Sequence, residues 1–93
     1  MPIYRYKNMY IPERMMPSID IYIDKGIIPG DFMQAVICNN LKEAFLLADD
    51  ENFENIGAYA SYFYNKVPAV AWGSRDRMIA WAEHHGLSEF ERR

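Results

Sequence analysis

Pro29-Gly30-Asp31-Phe32-Met33-Gln34-Ala35-Val36-Ile37-Cys38-Asn39-Asn40-Leu41-Lys42-Glu43-Ala44-Phe45-Leu46-Leu47-Ala48 is the stretch whose reading decides the fold. Met33, Val36, Ile37, Ala44, Leu47 and Ala48 recur at spacings of three and four, which places them on one stripe of a helix, while Lys42 and Glu43 fall outside it. Asp31 stands where a side chain accepts from the first free amides, and Gln34 follows three residues on, as in a capping box. The stretch therefore predicts one helix from Asp31 to about Ala48, with Asn40 on or near its buried stripe.

Working toward the C-terminus, the acidic turn Asp49-Asp50-Glu51 lacks the spaced oxygens and glycine of a calcium loop. It suits a helix start instead, so Asp49 or Asp50 is read as the N-cap of a helix from about Asn52 to Val67. Phe53, Ile56, Ala60, Phe63 and Val67 are its expected inner face. Pro68 ends that helix, Ala69-Val70-Ala71-Trp72-Gly73 is an apolar loop, and Ser74 caps a last helix that stops at Gly86. Met78, Ile79, Trp81, Ala82 and His85 are its expected packing surface. Leu87 to Arg93 is read as a tail in which Ser88 and Glu91 have the spacing for one more turn.

Toward the N-terminus, Pro17 to Lys25 carries two conflicting signals. Ile19, Ile21 and Ile23 alternate with Asp20, Tyr22 and Asp24 as in a half-buried strand. Pro17 suits the first helical turn, Gly26 suits the left-handed residue beyond the last, and Ile19, Tyr22 and Ile23 share a helical face. The helix reading is adopted. Met1 to Met16, with Pro2, Pro12 and three tyrosines (Tyr4, Tyr6, Tyr10), has no helical period and is expected to be extended or irregular. The expected fold is thus all-α, a compact bundle of about four short helices over residues 17–86, preceded by an extended arm (1–16) and followed by a tail (87–93).

Composition bounds the function. With 93 residues the chain makes one domain, and 51% hydrophobic against 25% charged residues excludes a disordered charged tail. A net charge of −3 argues against general nucleic-acid binding, which rests on Lys and Arg displacing counterions. The single cysteine, Cys38, excludes an internal disulfide and any CxxC motif, so a reducing cytoplasm is the expected setting. No apolar window is long enough for export or membrane spanning. The 7 Tyr, 5 Phe and 2 Trp exceed what so small a core must hide, which points to aromatic side chains at an interface.

Gly26-Ile27-Ile28-Pro29-Gly30-Asp31-Phe32, Asn39-Asn40-Leu41-Lys42-Glu43-Ala44, Ala48-Asp49 with Asn52, Tyr64-Asn65 with Pro68, and Trp72-Gly73-Ser74 with Trp81 resemble a group of small orphan proteins encoded by bacteriophages and prophages. The resemblance runs from Ile11 onward and leaves the first ten residues outside it. Two positions depart from the group's common pattern: Asn40 stands where Asp is common, and Met33 where Leu is common. The resemblance implies a mobile-element accessory protein acting in a bacterial cytoplasm, and no particular mechanism.

No catalytic or cofactor constellation emerges from the residues. His84 and His85 are adjacent, about 100° apart around a helix axis, and do not readily chelate one ion together. Cys38 lies inside a predicted helix, where a thiol is usually a small hydrophobe, and Ser74 is better read as a cap. Gly26 and Gly30 lack the Lys-Ser or Lys-Thr of a phosphate loop. Binding is the reading that remains. Tyr62-Phe63-Tyr64 cannot all face one side of a helix, so Tyr62 and Tyr64 are candidates for contact with another chain or a planar ligand. Trp72, Asn65, Arg75 and Arg77 lie within one short loop of them, and the two arginines at a helix start suit an acidic protein patch or a phosphate. The expectation is a non-enzymatic protein that binds and inhibits or modulates a host protein, without metal or cofactor. The alternative is a protein that sequesters a small anionic nucleotide-type ligand. A homo-oligomer is expected through Tyr4, Tyr6 and Tyr10, with Tyr62 and Tyr64 beside them.

Overall fold

The structure, a computed structural model, describes residues 4–87. Tyr4 opens an antiparallel hairpin of β1 (Arg5–Tyr6) and β2 (Met9–Tyr10), with Arg5 opposite Tyr10 and Tyr6 opposite Met9. The described part of the arm, residues 4–16, is thus a short hairpin followed by helical turns, and the hairpin lies against the helix that carries Ser61. The Tyr4 and Ser61 hydroxyls share a 2.6 Å hydrogen bond, and the Tyr10 amide donates to Asn55 Oδ1 at 2.8 Å. Ile11, just beyond β2, is fully buried.

One 3-10 turn, Glu13–Met15, leads into α1 (Met16–Lys25). Pro17 sits in its first turn and Gly26 closes it at φ 72, so the helix reading of this segment holds. Ile19, Tyr22 and Ile23 are buried and Ile21 is exposed, which is helical and not alternating burial.

The helix expected over residues 31–48 is two helices, α2 (Asp31–Ile37) and α3 (Leu41–Leu47). Asn39 takes a left-handed φ of 59, and Asn40 caps α3 by accepting from the Glu43 amide at 3.2 Å. Asparagine tolerates both roles, and two in succession end one helix and start the next. The capping box at Asp31 is also corrected. Gly30 is the N-cap, Asp31 Oδ1 accepts from the next amide, Phe32, at 2.7 Å, and Gln34 Nε2 donates to the Pro29 carbonyl. Leu47, expected inside, is exposed.

The helix expected from Asn52 to Val67 is likewise divided, into α4 (Asp50–Glu54) and α5 (Ile56–Lys66). Asp49 is its N-cap, accepting from the Asn52 amide at 2.8 Å. The break falls at the buried Asn55, whose Nδ2 donates to the Glu51 carbonyl and whose Oδ1 holds β2. This offset turns the inner face. Phe53 and Ala60 are exposed, while Asn52, Ala58, Tyr59 and Phe63 are buried. Tyr59 donates to Asn52 Oδ1 at 2.6 Å, and burial pushes its phenol pKa up.

After a 3-10 turn at Ala69–Ala71, Ser74 caps α6 (Arg75–Glu83) by accepting from the Arg77 amide at 3.1 Å. Met78 and Trp81 are buried as expected, but Ile79 and His85 face solvent. His85 takes φ 60 and Gly86 φ 67, which ends the helix before the expected stop. Of the expected tail only Leu87, half-buried, is described; Ser88 and Glu91 lie outside the described residues. Among the described residues, six α-helices and the hairpin enclose one core, with Ile11, Tyr22, Ile37, Tyr59, Phe63 and Met78 at its centre. Its radius of gyration, 12.6 Å, is that of a single domain of this length. Among the described residues, every buried side-chain nitrogen and oxygen has a hydrogen-bond partner.

Arg14 clamps the hairpin region to the start of α4, donating to Asp49 Oδ2 at 2.8 Å and to Glu51 Oε1 at 3.2 Å. The Asn52 amide first, and Arg14 with it, hold the Asp49 carboxyl below its ordinary value. A depressed folded-state value means that this stabilisation is complete above the ordinary carboxylate range near ~4 and fades as pH falls through the lower folded value. Asp49→Asn keeps a capping side chain and removes the charge. Urea titrations at neutral and strongly acidic pH are expected to show a smaller acid loss of stability in Asp49→Asn than in the parent chain.

Candidate functional site

The α5–α6 connection is short and tightly tied, and it sets the geometry of the best candidate site. The Gly73 amide, at φ 111, donates to the Ile37 carbonyl at 2.7 Å, which fastens the loop to the end of α2. Arg77 Nη1 donates to the Ala69 carbonyl at 3.1 Å and to the Trp72 carbonyl at 3.4 Å. A cation in the first turn of a helix opposes the macrodipole, and these loop carbonyls supply the compensating negative ends. The Trp72 ring leans on Phe63 at 5.8 Å and 50°, while Tyr64, one residue along α5, is 78% exposed. Tyr64, Trp72, Gly73 and Arg77, with Asn39 from the α2–α3 break, line one open cavity of about 460 Å³.

Three of the six candidate residues thus converge, and three are placed elsewhere. Tyr62 meets Tyr4 edge-on at 5.1 Å and is half-buried; burial, and then Asp20 and Asp24, push its pKa up. Asn65 Nδ2 donates to the Ser61 carbonyl at 2.9 Å and to its hydroxyl at 3.3 Å, so its amide serves its own helix. Arg75 lines a second cavity of about 250 Å³, with Asp31, Cys38, Glu43 and Leu47. Residues two apart on a helix lie about 200° apart around its axis, which separates Tyr62 from Tyr64 and Arg75 from Arg77. Val67, Ala69 and Gly73 also line the cavity, and Asn39 is the polar lining side chain that the sequence analysis did not single out. Its signal was the Asn39-Asn40 pair, which was read as helix interior.

The arm tyrosines are mostly engaged within the chain. Tyr4 is held by Ser61 and Tyr62, and the Tyr10 hydroxyl donates to Glu51 Oε2 at 2.7 Å. Tyr6 is exposed, with the Lys7 ammonium 5.6 Å from its ring centre. A different surface is strongly apolar. Leu41, Phe45, Leu46 and Leu47 of α3 are exposed, as is Phe53 of α4, which meets Phe45 edge-on at 5.1 Å. Ala44 is the buried residue of α3.

Among the described residues, no three His, Cys, Asp or Glu side chains are grouped to hold a metal ion, and no helix is long and apolar enough to cross a membrane. Burial pushes the Cys38 thiol pKa up, with Arg75 pulling the other way, and its Sγ lies 3.8 Å from Met78 Sδ. No family model, curated protein or solved structure matches the chain.

Proposed function

We propose that this chain is a non-enzymatic binding module, a phage or prophage accessory protein that engages and modulates a host protein in the bacterial cytoplasm. The observation that supports binding at a defined place is the open cavity flanked by Tyr64, Trp72 and Arg77. A large aromatic ring at 78% exposure contributes little to its own fold, whereas tyrosine, tryptophan and arginine are the side chains that dominate binding energy at protein interfaces. The mobile-element role rests on the resemblance described above.

Tyr64→Ala is the informative variant, because Arg77→Glu would also release the loop carbonyls that Arg77 holds. Affinity capture from bacterial lysate, read by mass spectrometry, is expected to recover a host protein with the parent chain and to lose at least tenfold of it with Tyr64→Ala, while the helical circular dichroism is unchanged. Equal recovery by both chains would remove Tyr64 from the proposal. A second reading, sequestration of an anionic nucleotide-type ligand, draws on the same cavity, since Arg77, Tyr64 and Trp72 all line it and Arg77 directs only Nη1 at the loop carbonyls. Thermal shift against nucleotides separates the two: a rise of several degrees supports ligand capture, and a flat panel supports protein binding.

A further inference from the structure

We infer that the apolar face of α3 and α4 is covered by a second copy of this chain, paired about a two-fold axis with the two α3 helices antiparallel. This inference is independent of the Tyr64 cavity and its occupant. Its starting point is a helix whose large apolar side chains are turned outward. Leu41 is 63% exposed, Leu46 68%, Phe45 39% and, on α4, Phe53 53%. Phe45 and Phe53 already meet edge-on, and Leu41 and Leu46 lie within one helical turn of Phe45.

The charges of this face select a second copy, and its size sets how tightly it is held. Leu47, two positions from Phe45 and lining the Arg75 cavity, lies outside the face. About half of the four large side chains lies open, on the order of 400 Å² per copy, so that self-pairing covers about 800 Å², the range of a weak, reversible association. A two-fold interface must be self-complementary, each end of the patch meeting the opposite end of its mate. This patch meets that condition. Lys42, in the first turn of α3, stands with Leu46 on the side away from the buried Ala44, and among the described residues it has no ion-pair partner. Asp50, which begins α4 just beyond the other end of α3, has none either. An axis near Phe45 and Leu46 sets Lys42 of each copy beside Asp50 of the other, twice by symmetry. A parallel pairing would instead set Asp50 against Asp50. An anionic lipid surface is disfavoured by Asp49, Asp50, Glu51 and Glu54 around Phe53.

Sedimentation of the full chain at tens of micromolar tests the proposal. The expected mass is twice 10.9 kDa, falling to 10.9 kDa for Leu46→Glu with an unchanged helical spectrum. Because Leu46→Glu introduces a new charge, a gentler pair accompanies it. Lys42→Glu is expected to weaken self-association about tenfold, and Lys42→Glu with Asp50→Lys to restore it. A monomeric parent chain, a Leu46→Glu protein that still dimerises, or a charge exchange that fails to restore pairing would each overturn the proposal.

Discussion

Gly86→Ala is expected to lower the thermal midpoint by on the order of 15 °C, a loss of about 3 kcal/mol in a domain of this size. Two causes add. The residue takes φ 67, where an alanine costs about 1–2 kcal/mol. A Cβ there would also lie 2.6 Å from the Asp24 carbonyl carbon and 2.7 Å from both the Asp24 oxygen and the Gly26 amide nitrogen. All three are backbone atoms at the end of α1, so relief requires moving one helix terminus off the other, at about 1–3 kcal/mol more. The contact is reciprocal. A Cβ on Gly26, at φ 72, would fall 2.9 Å from the Gly86 nitrogen and 2.9 Å from the Trp81 carbonyl. The two left-handed glycines let the ends of α1 and α6 touch, and Trp81 Nε1 donates to the Tyr22 carbonyl at 3.1 Å across the same junction. Differential scanning calorimetry of Gly86→Ala measures the effect; a shift of only a degree or two would mean that the junction is not built this way.

The second large effect is expected at Phe63, which is fully buried between Tyr62 and Trp72, with ring centres 5.9 and 5.8 Å away. Phe63→Ala removes a buried ring and leaves a cavity that the divided helices cannot fill, at a cost of about 3–5 kcal/mol. Phe53→Ala is the control. The two phenylalanines share one face in an unbroken helix, yet Phe53 is exposed in the structure, and its truncation is expected to cost at most about 1 kcal/mol in dilute solution. Urea midpoints for the two variants therefore also test the break at Asn55. Comparable losses would return both rings to one buried face.

Local chemistry was the legible part of this fold. Asp49, Ser74 and Gly26 act at helix ends through bonds to residues three or four positions away, so their neighbours in sequence suffice to place them. The helix breaks were harder. Asn40 sits on a helical period, and only its pairing with a left-handed Asn39 converts it from interior to cap. Asn55 breaks a helix because its side chain holds β2 and the Glu51 carbonyl, a partnership with residue 10 that periodicity cannot report. Each break then reset the phase of the stripe behind it, which is why Phe53, Ala60 and Leu47 were assigned to the interior. The outward face of α3 was illegible for the same reason, since an apolar residue at helical spacing signals burial without saying in which molecule. Within the candidate site, the shortness of Pro68 to Gly73 was enough to bring Tyr64 near Trp72 and Arg77. The 100° step of the helix, applied to Tyr62 and Arg75, would have separated them from that group in advance.

Photo-crosslinking in bacterial cells tests the central claim, recognition of a host protein at Tyr64, most directly. With p-benzoylphenylalanine in place of Tyr64, irradiation is expected to join the chain to a host protein, and the same probe in place of the exposed Tyr6 is expected to give no such adduct. Crosslinks from position 64 that reach no host protein, or a host adduct of equal yield from position 6, would contradict it.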